Sequence, residues 1–158
     1  MSFVEIEESD QICRAWLDRP DARNAFHPQM IAELKDLFLR AQSESSWRCL
    51  VLAGRGESFC AGADLNWMKS MKEASYEENQ RDSESLFDMY IAAKNCLIPI
   101  LTLVHGHVMG GALGLVSVSD VVAAEESTVF CFSEVRLGLV PAVISPFVFR
   151  KMAPNRAQ

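Results

Sequence analysis

The chain has 158 residues, 49% of them hydrophobic and 23% charged, with a net charge of −6 and a pI near 5.1. A chain of this size and composition can bury one core, so a single domain over residues 1–158 is expected. Its fifteen Lys and Arg are scattered along the sequence, which argues against the clustered basic surface that a nucleic-acid backbone demands.

The acidic opening, Met1 to Glu8, lacks a basic segment followed by an apolar run, so it reads as neither a secretory signal nor a mitochondrial presequence. A cytoplasmic location is expected. Residues 3–8 and 12–17 read as two strands joined at Ser9-Asp10-Gln11, a hairpin. Residues 20–24 break the pattern. Pro28 suits the first turn of a helix, and Ile31, Leu34, Phe38 and Ala41 recur on one face, predicting a helix over 28–43. Residues 48–53 form a buried strand, ended by Gly54-Arg55-Gly56. A short helix is expected over 65–72 and a long one over 77–95, with Leu86, Met89, Tyr90, Ala93 and Leu97 along its inner face. The apolar run 97–104, interrupted by Pro99 and Thr102, is too short to span a bilayer and reads as a buried strand. A helix of small residues over 110–118, strands at 121–124 and 128–132, and a helical pattern beginning at Ser145 complete the series. The chain is expected to end within that last element. Strands alternating with helices predict an α/β fold with largely parallel pairing and right-handed crossovers.

Two small-residue turns carry the chemical signal. Ser58-Phe59-Cys60-Ala61-Gly62-Ala63-Asp64-Leu65 follows one strand, and His105-Gly106-His107-Val108-Met109-Gly110-Gly111-Ala112 follows another. Each has the order strand, glycine turn, helix, which leaves backbone N–H groups without an intrahelical acceptor. Two such turns side by side would aim two donors at one oxyanion. Asp64 is expected to act as a cap or turn acceptor, and Trp67, Met68 and Met71 either line an acyl pocket or pack in the core. The acidic run Glu77, Glu78, Asp82 and Glu84 reads as a solvated helix face.

His105 and His107 have a spacing that suits a metal, yet no third ligand of matching kind lies nearby, and no metal site is expected. The five cysteines, at positions 13, 49, 60, 96 and 131, are odd in number and without a CxxC pair, as reduced core thiols are. Cys60 and Cys131 lack a basic neighbourhood and read as packing residues rather than nucleophiles.

Four ordered blocks resemble the crotonase, or enoyl-CoA hydratase/isomerase, family. They are Arg19-Pro20 with Arg23-Asn24-Ala25-Phe26; Phe59 to Leu65; His105-Gly106 through Gly110-Gly111 to Asp120; and Phe132-Ser133-Glu134-Val135-Arg136-Leu137-Gly138-Leu139-Val140-Pro141. The resemblance implies a crotonase-like ββα spiral covering about the N-terminal two-thirds of a family subunit, without the C-terminal helical region. It implies an acyl-CoA substrate, no separate cofactor, and a homotrimer or hexamer where the C-terminal region is present. By the same resemblance the N–H groups of Ala63 and Gly111 hold the thioester oxygen. Main chain at Ala61, Ala63 and Leu65 holds the adenine of coenzyme A, Arg23 approaches its phosphates, and Glu134 is the acid/base.

Family hydratases carry a second glutamate, and here Gly114 stands in its place. Three readings fit: a concerted hydratase using Glu134 alone, an isomerase shuttling one proton, or an inactive module. The wording of Cys60 to Met68 and of Ser133 to Pro146 resembles bacterial methylglutaconyl-CoA hydratases of leucine and terpenoid breakdown. That favours hydration of a branched 2-enoyl-CoA such as 3-methylglutaconyl-CoA.

Overall fold

The computed structural model describes residues 2–156. Strand β1 (Val4–Ser9) pairs antiparallel with β2 (Ile12–Leu17) across a two-residue turn. Asp10 and Gln11 both take left-handed φ, 52° and 64°, the backbone that lets a tight turn follow the twist of its strands. On β2, Cys13, Ala15 and Leu17 are buried in alternation, as a half-covered strand requires.

Helix α1 (Pro28–Ser43) starts on His27, whose Nδ1 accepts from the Gln29 N–H. Its buried face, Met30, Ile31, Leu34, Leu37, Phe38 and Ala41, packs against α3 (Tyr76–Lys94), which contributes Met89, Tyr90, Ala92 and Ala93. A capping box between Ser75 and Glu78 opens α3, so Glu78 has a structural task beyond lying on a solvated face. Asp82 likewise accepts the Trp67 indole N–H at 3.2 Å.

The remaining elements are β3 (Cys49–Gly54), α2 (Leu65–Met71), β4 (Ile100–Val104), β5 (His107–Met109), α4 (Ala112–Val118), β6 (Val121–Ala124), β7 (Val129–Cys131), a 3-10 turn at Ser133–Leu137 and α5 (Ser145–Lys151). The larger sheet has the order β1-β2-β3-β4-β6, parallel from β2 onward, and β5 pairs parallel with β7 in a second, smaller sheet. Isolated parallel bridges, Cys60 to Val108 and Phe26 to Ala63, continue the smaller layer.

The chain therefore winds as a spiral. Each turn lays one strand in the large sheet, a second short extended segment in the small one, and then a helix: β2, Phe26, α1; β3, Cys60, α2 with α3; β4, β5, α4; β6, β7, α5. The expected α/β fold is present. Two local expectations fail. Leu97 is 82% exposed rather than on the inner face of α3, because α3 ends at Lys94 and the chain turns at Asn95 before β4 begins at Ile100. The strand β5 lies inside what reads as a glycine turn, its three residues bracketed by Gly106 and Gly110 at positive φ. No helix among the described residues is long and apolar enough to cross a membrane.

Candidate active site

A cleft of about 760 Å³ opens where the short segments of the spiral hand over to their helices. Ala61, Ala63 and Leu65 line it from the second turn, Gly110 and Gly111 from the third, Ser133 and Glu134 from the fourth. Residues far apart in sequence meet because parallel strands begin each turn of the spiral at the same end of the sheet.

The first main-chain donor follows from the Phe26–Ala63 bridge. Phe26 N–H donates to Gly62 O at 2.7 Å, and Asp64 N–H donates to Phe26 O at 2.9 Å. In a parallel bridge the flanking groups point at the partner, so the N–H of Ala63 itself points away from Phe26. It donates to no acceptor among the described residues. At the Gly110–Gly111 turn, Gly110 N–H donates to Cys131 O at 3.0 Å, Tyr90 Oη donates to Gly111 O at 2.6 Å, and Gly114 N–H donates to Gly111 O at 2.9 Å. The Gly111 N–H, like that of Ala63, meets no acceptor among the described residues.

Glu134 enters from the 3-10 turn. Gly138, at φ 71°, closes that turn, and its N–H donates to the Glu134 carbonyl, as does the Leu139 N–H at 3.1 Å. The side chain packs on the Gly110 turn: a Cβ on Gly110 would lie 2.9 Å from Oε1 and 3.3 Å from Oε2. Gly110 also has φ 51°, so two constraints demand glycine there. Glu134 Oε2 is buried and, among the described residues, has no hydrogen-bond partner. An unsatisfied buried carboxylate oxygen is costly, and it is placed in the same cleft as the two unpaired N–H groups.

Asp64 performs the capping expected of it. Its Oδ1 accepts from Asn66 N–H at 2.8 Å and Trp67 N–H at 3.2 Å, while Oδ2 pairs with Arg19 at 2.9 Å. The Arg19 guanidinium, helped by those two N–H groups, holds the Asp64 carboxyl below the usual range. Arg19 also donates to Ala25 O at 2.6 Å and stacks over Phe3, tying the loop beneath the cleft to α2. Nothing in the spacing of Arg19 and Asp64 announces this link.

Arg23 is exposed at the rim with a left-handed φ of 49°, and its carbonyl accepts from Ala61 N–H at 2.9 Å. It thus stands beside the Ala61–Leu65 wall. Trp67 and Met68 line the cleft, whereas Met71 is not among its lining residues. Leu86, Val140, Val143 and Ile144 supply apolar wall that the sequence reading did not assign to the site.

The remaining candidates are engaged elsewhere. His105 Nε2 lies 2.9 Å from Gly56 O, and His107 Nδ1 lies 3.2 Å from Ser58 Oγ. Cys60 is fully buried, and burial pushes its thiol up to about 12, which suits packing and not nucleophilic attack. Position 114 holds the greatest surprise. A Cβ on Gly114 would lie 2.6 Å from Tyr90 Cζ, 2.7 Å from Cε1 and 2.9 Å from the hydroxyl. The Tyr90 ring fills the direction in which a second glutamate would project.

This architecture is the crotonase spiral. The chain belongs to the enoyl-CoA hydratase/isomerase family, whose profile matches residues 7–158. It is 32% identical over 154 residues to an enoyl-CoA hydratase of Alternaria alternata, covering 98% of this chain and 50% of that protein. An enoyl-CoA isomerase/hydratase of Mycosarcoma maydis is 31% identical over 153 residues, with 89% and 55% covered. The crystal structure of an enoyl-CoA hydratase from Shewanella pealeana superposes with a TM-score of 0.94 at 38% identity, covering 98% of this chain and 58% of that one. The chain spans about half the length of these curated relatives.

Proposed function

We propose that the protein adds water across the double bond of a 2-enoyl-CoA, with Ala63 and Gly111 as the oxyanion donors and Glu134 as the single acid/base. The observation that carries this reading is the meeting, in a single cleft, of two main-chain N–H groups and one buried carboxylate oxygen that have no partner among the described residues. Main chain at Ala61, Ala63 and Leu65 would hold the adenine of coenzyme A, with Arg23 near its phosphates. Acyl-CoA is the substrate, and the reaction as written needs no other cofactor.

Starting as the acid, Glu134 gives a proton to Cα with one oxygen while the other takes a proton from water. The water oxygen bonds to Cβ, and the π electrons move toward Cα and the thioester carbonyl. Glu134 ends as it began, and the substrate has gained one water. Negative charge growing on the thioester oxygen is met by the two N–H groups, each worth about 3 kcal/mol in sites of this kind. The apolar wall of Leu86, Val140, Val143 and Ile144 suits a branched acyl chain, and the resemblance of the Cys60 and Ser133 blocks supports 3-methylglutaconyl-CoA or a close relative.

A second reading is favoured by one observation: the space at Gly114 is taken by Tyr90. A lone carboxylate suffices to move one proton between Cα and Cγ, which is double-bond isomerisation.

Mass spectrometry of 3-methylglutaconyl-CoA and crotonyl-CoA after incubation with the protein tests both readings. A gain of one water, reduced by about 10²- to 10⁴-fold in Glu134→Gln, is expected. Constant mass with a shifted double bond supports isomerisation instead. Unchanged substrates argue against both and favour a module that binds without reacting.

A further inference from the structure

We infer that Tyr90 is a positioning residue for the oxyanion site: together with Phe26 it clamps the Gly111 turn, and it takes the room of a second carboxylate at position 114. The inference rests on the oxyanion reading above. Tyr90 is 0% exposed and Phe26 1%. A Cβ on Gly111 would lie 3.0 Å from two Phe26 ring carbons and 3.2 Å from the Tyr90 hydroxyl, so the turn is held between these two side chains.

Phe26 also grips the other donor, because its main chain brackets Ala63 through the bonds to Gly62 and from Asp64. The pair therefore sets the separation of the two N–H groups. Tyr90 delivers its hydroxyl from a stiff base. It lies on the 19-residue helix α3, and its ring packs against Phe147 at 5.3 Å between centroids with the planes tilted by 54°. The hydroxyl bonds the Gly111 carbonyl at 2.6 Å; it acts through geometry, because the N–H of Gly111 belongs to the preceding peptide.

The choice of a phenol has an electrostatic consequence. A glutamate reaching into the site from position 114 would add a negative charge beside the developing enolate, where like charges disfavour one another. Burial, with Glu134 and Cys60 adding to it, pushes the Tyr90 phenol well above its ordinary value. It remains a neutral donor. The glycine within α4 and the tyrosine near the C-terminal end of α3 are two halves of one arrangement.

The test uses acetoacetyl-CoA, a β-ketoacyl thioester whose enolate absorbs in the ultraviolet and which reports an oxyanion site without turnover. The wild-type protein is expected to raise the enolate fraction of the bound ligand. Tyr90→Phe keeps the ring and loses the hydroxyl. It is expected to lower the bound enolate-to-keto ratio roughly fivefold, the loss of one net hydrogen bond, with affinity for coenzyme A itself unchanged. Gly114→Ala, which displaces the ring from the α4 side, must reproduce the effect, so the conclusion does not hang on one variant.

An enolate band in the wild type that survives in both variants overturns the inference alone. A band lost together with coenzyme A affinity also overturns it, because that marks a merely structural residue. Absence of any band with folded wild-type protein and bound ligand overturns the oxyanion reading and this inference with it.

Discussion

Replacing Gly114 by alanine tests the packing that distinguishes this site. In most helices the change would stabilise by about 1 kcal/mol, since glycine carries excess backbone freedom. Here the new methyl would sit 2.6, 2.7 and 2.9 Å from three Tyr90 atoms, whereas carbon contacts are comfortable at about 3.5 Å or more. The ring must retreat by most of an ångström, yet it is fully buried, packed against the tilted ring of Phe147 and hydrogen-bonded to Gly111. Overpacking of this kind costs about 3 kcal/mol at its upper range, and the strained hydrogen bond about 1 kcal/mol more. Against the helical gain, the net loss is about 3 kcal/mol. For a chain of this length that lowers the melting temperature by roughly 6–12 °C, read by circular dichroism. In a Tyr90→Leu background the obstruction is gone, and the same substitution should be neutral or stabilise by about 1 kcal/mol. A single Gly114→Ala variant that melts at or above the wild type would refute the reasoning.

Gly110→Ala should push the Glu134 carboxylate from its seat, and the left-handed φ adds strain of about 1 kcal/mol; initial-rate measurements should show hydration falling at least tenfold with coenzyme A affinity retained. Asp64 has its folded value lowered below 3.8 by Arg19 and two N–H groups, so its contribution is complete above about pH 4 and lost as pH falls through the folded value. Asp64→Asn should accordingly cost about 1–2 kcal/mol at pH 7 and progressively nothing below pH 4, measured by urea titration across that range. Cys60, buried and raised to about 12, should resist iodoacetamide at pH 8 in native protein and react once urea unfolds it; rapid native labelling, located by peptide mass mapping, would contradict its placement.

Much of this arrangement can be read from residues whose constraints are local. Pro28 and the apolar spacing from Ile31 to Ala41 mark α1 because periodicity and a first-turn proline act within one element. Asp64 is legible as a cap for the same reason. The glycine turns at 62 and 110–111 announce backbone donors, though only the bridge from Phe26 reveals why the Ala63 N–H is spared. β5 stays hidden because three residues between two glycines offer no periodicity; its strand character comes from pairing with β7. Tyr90 shows only as one more apolar position on α3. Its meaning depends on α4 crossing nearby, and the sole sequence trace is a glycine in mid-helix where a side chain would ordinarily help. The Arg19–Asp64 link joins residues whose proximity is made by tertiary folding, and no local pattern records it.

The spiral also sets the order in which this site comes into being. Ala63, Gly111 and Glu134 belong to three successive turns, and each turn is registered by the strand pairing of β3, β4 and β6 and by the bridges of the smaller layer. A ribosome releasing the chain from its N-terminus can complete the first donor early, but the carboxylate arrives last. Parallel pairings between distant segments form slowly, because loop closure precedes the contacts that reward it. On the proposed reading, a nascent chain that has not yet threaded its fourth turn lacks the acid/base however much of its core has already condensed.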